Sequence, residues 1–239
     1  MSQTAFVTGA DRGLGSALVA GLLEQGWCVF AGQHRPDWPE LGALASRFPT
    51  TLHLVPLDVT AIDSARAAAE AVAAVVDHVD VLINNAGVTT PTSARSIHEP
   101  QDYAEMHRVY DVNALGPLRV VEAFLPLTDR STLKRLCFVS SEAGSIARST
   151  RTQDYGYCMS KAALNMATKI LYNHLHPAGY TFRVYHPGWI RSYMSGSKAT
   201  AGDLEPDAAA VRALGYFLSA LEDEDRLVMR DWQGREWPW

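Results

Sequence analysis

The sequence predicts an α/β fold, a parallel sheet covered on both faces by helices. Three observations carry this expectation. Strand-like apolar runs alternate with helical patterns along the whole chain. The first run, Ala5 to Val7, leads directly into the glycine-rich turn Thr8-Gly9-Ala10-Asp11-Arg12-Gly13-Leu14-Gly15. The informative polar residues fall just after the strand-like runs, where open parallel sheets bind ligands. The 239 residues fit one large domain, and the 47% apolar composition is enough for a sizeable core. No repeat, linker or low-complexity stretch divides it.

The elements follow in order. After the glycine turn, Leu14, Ala17, Leu18, Gly21 and Leu22 recur at offsets of three and four, which marks a helix. Gly26 ends it, and Trp27 to Ala31 reads as a second strand. The loop His34 to Pro39 precedes a short helix from Glu40 to Arg47. Thr51 to Pro56 is a third strand, and Thr60 is placed to cap an alanine-rich helix from Ala61 to Asp77. Val79 to Ile83 is a fourth strand, closed by Asn84-Asn85-Ala86-Gly87. Two helices are expected over Gln101–Val112 and Leu115–Leu127, then a fifth strand over Arg135–Ser140. A polar loop leads to a long helix from Tyr155 to His176. A sixth strand, Tyr180 to Tyr185, is broken by Pro187-Gly188. The small, polar stretch Gly196 to Gly202 precedes a last helix, Ala208 to Leu221, and a last strand, Leu227 to Met229.

The glycine turn is a candidate phosphate site. The free N–H groups of a first helical turn point at such a ligand, and the helix dipole favours its charge. Its Gly-x-x-x-Gly-x-Gly spacing departs from Gly-x-Gly-x-x-Gly, and a βα turn with no ligand satisfies the same residues. The net charge of −5, with basic residues scattered, argues against nucleic acid and against a membrane surface. Cys28, Cys137 and Cys158 have no short spacing, which argues against disulfides or a metal site and fits a reducing, cytoplasmic setting. The early first strand leaves no room for a signal peptide, and no apolar run approaches a membrane span.

Tyr157 and Lys161 stand four apart and share a helix face. A nearby ammonium favours the phenolate, so the pair is expected to act as a proton donor and acceptor tuned toward neutral pH.

Taken in chain order, Thr8-Gly9-x-x-x-Gly13-x-Gly15, Asp58-Val59, Asn84-Asn85-Ala86-Gly87, Asn113, Ser140-Ser141, Tyr157-x-x-x-Lys161 and Pro187-Gly188 resemble the short-chain dehydrogenase/reductase family. Gly144-Ser145-Ile146, His186-Pro187-Gly188-Trp189 and Gly234 to Trp239 resemble its C-factor and carbonyl-reductase-like branch. The resemblance implies a Rossmann-like, doubly wound domain over residues 1–239, with about seven parallel strands and a short substrate lid near 192–205. It implies an oxidoreductase interconverting a carbonyl and an alcohol, with Tyr157 as general acid or base. Lys161 lowers the phenol's pKa and bonds the nicotinamide ribose, Ser141 holds the substrate oxygen, and Asn113 positions a relay water. The cofactor residues carried over are Thr8, Gly9, Asp11, Arg12, Gly13, Leu14, Gly15, His34, Arg35, Asp58, Val59, Asn85, Ala86, Gly87, Asn113, Tyr157, Lys161, Pro187, Gly188, Trp189, Ile190 and Ser192. No metal is implied.

After the second strand no carboxylate precedes Asp37, while Arg12 and Arg35 are at hand to accommodate a 2′-phosphate, so NADP(H) is expected over NAD(H). Solvated arginines, with Asp37 holding the ribose, are the alternative. Tyr157 follows Ser141 by sixteen positions, more than is common in the family, so Ala147 to Asp154 should bulge; a slipped register would make Ser140 the catalytic serine. Arg148 and Arg151 in that loop could attract an acidic substrate group. Tyr193 and Met194 could belong to the lid. Trp232, Trp237 and Trp239 could seal the sheet edge or meet a second subunit. The family commonly forms dimers or tetramers, and the Leu164, Ala167, Leu171, Leu175 face permits this but suits the sheet equally. The competing reading is a non-catalytic NAD(P)-binding sensor or C-factor-like signalling protein on the same fold.

Overall fold

The computed structural model describes residues 3–90, 92, 94–194, 198–221 and 223–239. One sheet of eight strands runs through it: β1 (Thr4–Val7), β2 (Cys28–Gln33), β3 (Leu52–Pro56), β4 (Val81–Asn84), β5 (Arg135–Val139), β6 (Thr181–His186), β7 (Met229–Asp231) and β8 (Glu236–Trp237). Their order is β3-β2-β1-β4-β5-β6-β7-β8, and every pairing is parallel except β7 with β8. The chain winds outward from β1 to β3, then returns to the other side of β1 with β4. That reversal opens a crevice at the carboxyl ends of β1 and β4.

Successive residues of each strand enter different layers. Ala5, Val7, Val29, Ala31, Val81 and Ile83 pack under α1 (Gly13–Glu24), α2 (Pro39–Arg47) and α7 (Pro206–Leu218). Phe6, Phe30, Leu82, Leu136 and Phe138 pack under α3 (Ile62–Ala73), α5 (Gly116–Thr128) and α6 (Tyr155–Leu175). The doubly wound expectation therefore stands, with the expected strands displaced by one or two residues.

Three local expectations are corrected, and one left open is decided. The helix over Tyr103–Tyr110 (α4) does not stop before α5; a π-helical turn, Asp111–Leu115, joins them. Thr60 does not cap α3: Ala61 occupies that place, and the Thr60 hydroxyl donates to Asp58 Oδ1 at 2.7 Å. An eighth strand, β8, was not expected; the Asp231 carboxylate accepts N–H bonds from Gln233 and Arg235, both at 2.9 Å, and folds it back on β7. Leu164 and Leu175 are buried in the core, so the apolar face considered for subunit contact turns toward the sheet. The outer face of α6 exposes Met159, Met166 and Ile170 instead. Among the described residues no helix is long and apolar enough to cross a membrane, and no group of three His, Cys, Asp or Glu side chains could hold a metal ion.

Candidate active site

The crevice is floored by two turns stitched together. The Thr8 hydroxyl accepts from the backbone N–H groups of Asn85 and Ala86, both at 3.0 Å. Asn85 Nδ2 donates back to the carbonyls of Thr8 at 2.9 Å and Gly9 at 3.1 Å. The turn after β1 is thereby locked to the turn after β4. Glycine is required here for measurable reasons. Gly9 has φ +61°, and a Cβ on it would lie 2.8 Å from Ala86 Cα. A Cβ on Gly15 would lie 2.0 Å from the Gly9 carbonyl oxygen. The N-terminus of α1 then opens on the crevice with no side-chain cap and no acidic residue in its first turn. Its unpaired N–H groups make a seat for an anion, so the residues present fit a dinucleotide's pyrophosphate.

The crevice is a cleft of about 1060 Å³, deep enough for a dinucleotide and a small second ligand. Of the residues carried over from the family resemblance, all line it except Thr8 and Asn113. Thr8 is the stitch beneath the floor. Asn113 is fully buried one layer back: its Oδ1 accepts from Val88 N at 2.8 Å, and its Nδ2 donates to Val88 O at 2.9 Å and Ser160 Oγ at 3.0 Å. The side chain expected to hold a water is thus a bracket between the π-helical turn, the β4 turn and α6.

At the adenosine end, the Asp11 carboxylate accepts the Arg35 backbone N–H at 2.7 Å, tying the glycine turn to the end of β2. The Arg12 guanidinium lies 4.4 Å from the Trp38 ring centre and donates to the Tyr193 carbonyl at 3.2 Å. Arg35 pairs with Asp37 at 3.4 Å, both more than half exposed. Asp58, at the end of β3, has its carboxylate occupied by the N–H and hydroxyl of Thr60.

At the opposite end, α6 presents Tyr157 and Lys161 on one face, with the Lys161 Nζ 5.7 Å from the Tyr157 ring centre. Lys161 is 3% exposed and donates to the Val139 carbonyl at 3.0 Å. Burial brings its pKa down to about 8. Burial also pushes the Tyr157 phenol up to about 12; a hydrogen bond with Ser141 opposes the rise, and the charges of Asp154 and Glu142 add to it. The Lys161 ammonium is bonded to the end of β5, 5.7 Å from the ring centre, and burial is the largest influence on the phenol. Tyr157 is accordingly a protonated donor at neutral pH.

The two serines divide their work. Ser140 Oγ is spent on Asn165 Oδ1 at 2.6 Å, while Ser141 bears on Tyr157 and accepts from Ala143 N at 3.1 Å. The long loop after Ser141 is pinned by the two residues that follow β8. Ser145 Oγ donates to the Pro238 carbonyl at 2.5 Å, and Ala147 N donates to the Trp239 carbonyl at 2.8 Å. Trp237 donates its indole N–H to Asp231 at 2.9 Å, and Trp232 packs against Gly188. Trp232 and Trp237 therefore serve the sheet edge and the site, while Trp239 holds the loop through its carbonyl. Sequence reasoning missed Glu142, Asp154, Arg108, Val88 and Thr89, which also line the cleft.

A buried ammonium without a counter-ion is a destabilising group. Lys161→Met is expected to raise the unfolding free energy of the ligand-free protein at pH 7 by roughly 1–3 kcal/mol, net of the lost bond to Val139. The sign follows from the lowered pKa. Below about 8 the lysine is charged in both folded and unfolded chains, and the full burial cost is present. Between about 8 and the ordinary 10.5 the unfolded chain binds more protons, so the parent gains stability with rising pH and the difference closes. Denaturant titrations at the two pH extremes check it.

Fold and cleft define a dinucleotide-binding α/β protein with a phenol, a hydroxyl and an ammonium on the wall facing the phosphate seat. The short chain dehydrogenase family matches residues 3–202, and the chain belongs to it; it is an oxidoreductase of that family. The C-signal of Myxococcus xanthus is 42% identical over 161 residues, 67% of this chain and 93% of that one. The NADPH-bound carbonyl reductase from chicken fatty liver superposes with a TM-score of 0.87 at 31% identity, over 100% of this chain and 99% of that one. Carbonyl reductase Sniffer of D. melanogaster superposes with a TM-score of 0.89 at 26% identity, over 100% of both chains.

Proposed function

We propose that residues 1–239 form one NADP(H)-dependent carbonyl reductase domain, reducing a ketone or aldehyde to an alcohol and running the reverse reaction. The observation that carries this reading is the placement of Tyr157, Ser141 and Lys161 on one wall of a cleft whose other wall is the anion seat of α1. The nicotinamide, when bound, supplies the hydride. The chain's own residues orient the carbonyl and manage the proton. Ser141 donates a hydrogen bond to the substrate oxygen and fixes its position. Tyr157 gives that oxygen its proton. Lys161 holds the ribose and supplies positive charge beside the phenol. Asn113 keeps the π-helical turn and α6 in register. Tyr193, Met194 and Ala199 line the cleft as part of a short lid near 192–205, with Tyr193 beside Arg12; residues 195–197 lie outside the described residues. The test is NADPH oxidation across a panel of ketones and aldehydes, and silence across the panel overturns the reading.

Arg12 and Arg35 support NADP(H) over NAD(H). Arg12→Ala is expected to weaken NADPH binding by about ten- to a hundredfold, the worth of a charge-assisted phosphate contact, and NADH binding much less. Calorimetric titration of both cofactors reads this, and tighter binding of NADH by the parent protein sinks it. A second copy of the chain is the partner proposed for the exposed outer face of α6, and the cytoplasm the setting for three unpaired cysteines. A signalling role beside catalysis is the second reading, favoured by the 42% identity to C-signal.

A further inference from the structure

Among the described residues four arginines line the cleft, and three of them are matched by carboxylates. Arg35 pairs with Asp37, Arg108 with Glu105 and Arg151 with Glu142. Arg148, which sequence alone offered with Arg151 to an acidic substrate, lies 4.8 Å from the Trp237 ring centre instead. Arg12 is held in another way. Its guanidinium carbon is 4.4 Å from the centre of the Trp38 ring and 5.7 Å from that of Tyr193. The two rings meet edge to face, with centres 5.1 Å apart. Nη2 donates to the Tyr193 carbonyl at 3.2 Å, and among the described residues no carboxylate pairs with this guanidinium.

This clasp joins three segments. Arg12 stands at the N-cap of α1, Trp38 at the N-cap of α2 just after β2, and Tyr193 in the lid. The end of β2 is where a fold of this kind meets the adenosine ribose, through an acid for free hydroxyls or an arginine for a 2′-phosphate. Asp37, the acid of that loop, is paired with Arg35 and does not line the cleft. Aromatic faces attract a guanidinium without neutralising it, and they leave its N–H edges for oxygen acceptors. A long side chain fixed in advance also loses less freedom when its ligand arrives.

We infer that Trp38 and Tyr193 are positioning residues for cofactor choice: they hold the Arg12 guanidinium ready for a 2′-phosphate, so the lid takes part in selecting the cofactor. The inference rests on the NADP(H) reading. Its test uses adenosine 2′,5′-bisphosphate and adenosine 5′-monophosphate, which differ only in the 2′-phosphate, titrated calorimetrically into the full chain. The parent should prefer the bisphosphate. Trp38→Leu and Tyr193→Leu should each weaken the bisphosphate about three- to tenfold, the range of a cation–π contact, and leave the monophosphate unchanged. In an Arg12→Ala background the same replacements should change neither affinity. Trp38→Phe, which keeps a ring face, should recover most of the loss. A merely structural part for the rings would weaken both nucleotides alike and would persist without Arg12; either result, or no loss in both leucine variants, overturns the inference. A parent preference that needs Arg12 but neither ring overturns the clasp and leaves the NADP(H) reading standing. A parent with no preference for the bisphosphate removes both.

Discussion

Tyr157→Phe is expected to lower kcat for carbonyl reduction by about 10²- to 10⁴-fold, the usual worth of a positioned general acid. The ring stays and only the oxygen is lost, so circular dichroism and the unfolding midpoint should hold while single-turnover NADPH oxidation collapses. The direction of the pH dependence follows from the protein's own electrostatics. Burial lifts the phenol to about 12, so the acid form needed for reduction persists across neutral pH. The phenolate needed for alcohol oxidation is scarce there, and oxidation should rise with pH from 7 to 10 while reduction does not. A Tyr157→Phe enzyme that still turns over at the parent's rate would remove the phenol from the mechanism.

Gly15→Ala should be the most damaging single methyl in the molecule. Its Cβ would lie 2.0 Å from a backbone oxygen and 2.7 Å from Asn85 Nδ2. No side-chain rotation relieves the first clash, so the turn itself has to move. Overpacking typically costs about 1–3 kcal/mol. The anion seat would also lose its shape, and NADPH affinity should fall by more than about a hundredfold, equivalent to roughly 2.8 kcal/mol. Gly42→Ala is the internal control: nothing lies within 4 Å of its Cβ, and the change on exposed α2 should be neutral or stabilising by about 0.4–1 kcal/mol. Isothermal titration and urea unfolding of both variants decide the matter; near-parent NADPH affinity in Gly15→Ala would show that the seat is not used.

The sequence made the backbone-dictated parts legible. Gly9 and Gly15 reflect close approach between main-chain atoms, and Gly13 a φ of +57°, which only glycine adopts without strain. The alternation of runs exposed the two-layer cover of the sheet, since each strand feeds both cores. What stayed hidden depends on partners distant in sequence. Thr60 looked like a cap until the position of Asp58 was known. Nothing local signals a π-helical turn at Asn113, because it is set by how α4 and α5 meet α6. β8 is two residues long and exists because Asp231 gathers the following N–H groups. Lys161 was read from its offset to Tyr157, and that offset is right, but the Val139 carbonyl claims its ammonium. Arg12 was read from its place in the glycine turn, where the rings of Trp38 and Tyr193 beside it could not be seen.

The bond from Ser145 to the Pro238 carbonyl joins positions 93 residues apart. On a ribosome, the loop that follows Ser141 therefore lacks this restraint until residue 238 has been made. The nucleotide half can mature early, since the partners Thr8 and Asn85 emerge first. The two turns that floor the cleft are thus joined by earlier-made partners than the wall that carries Ser141.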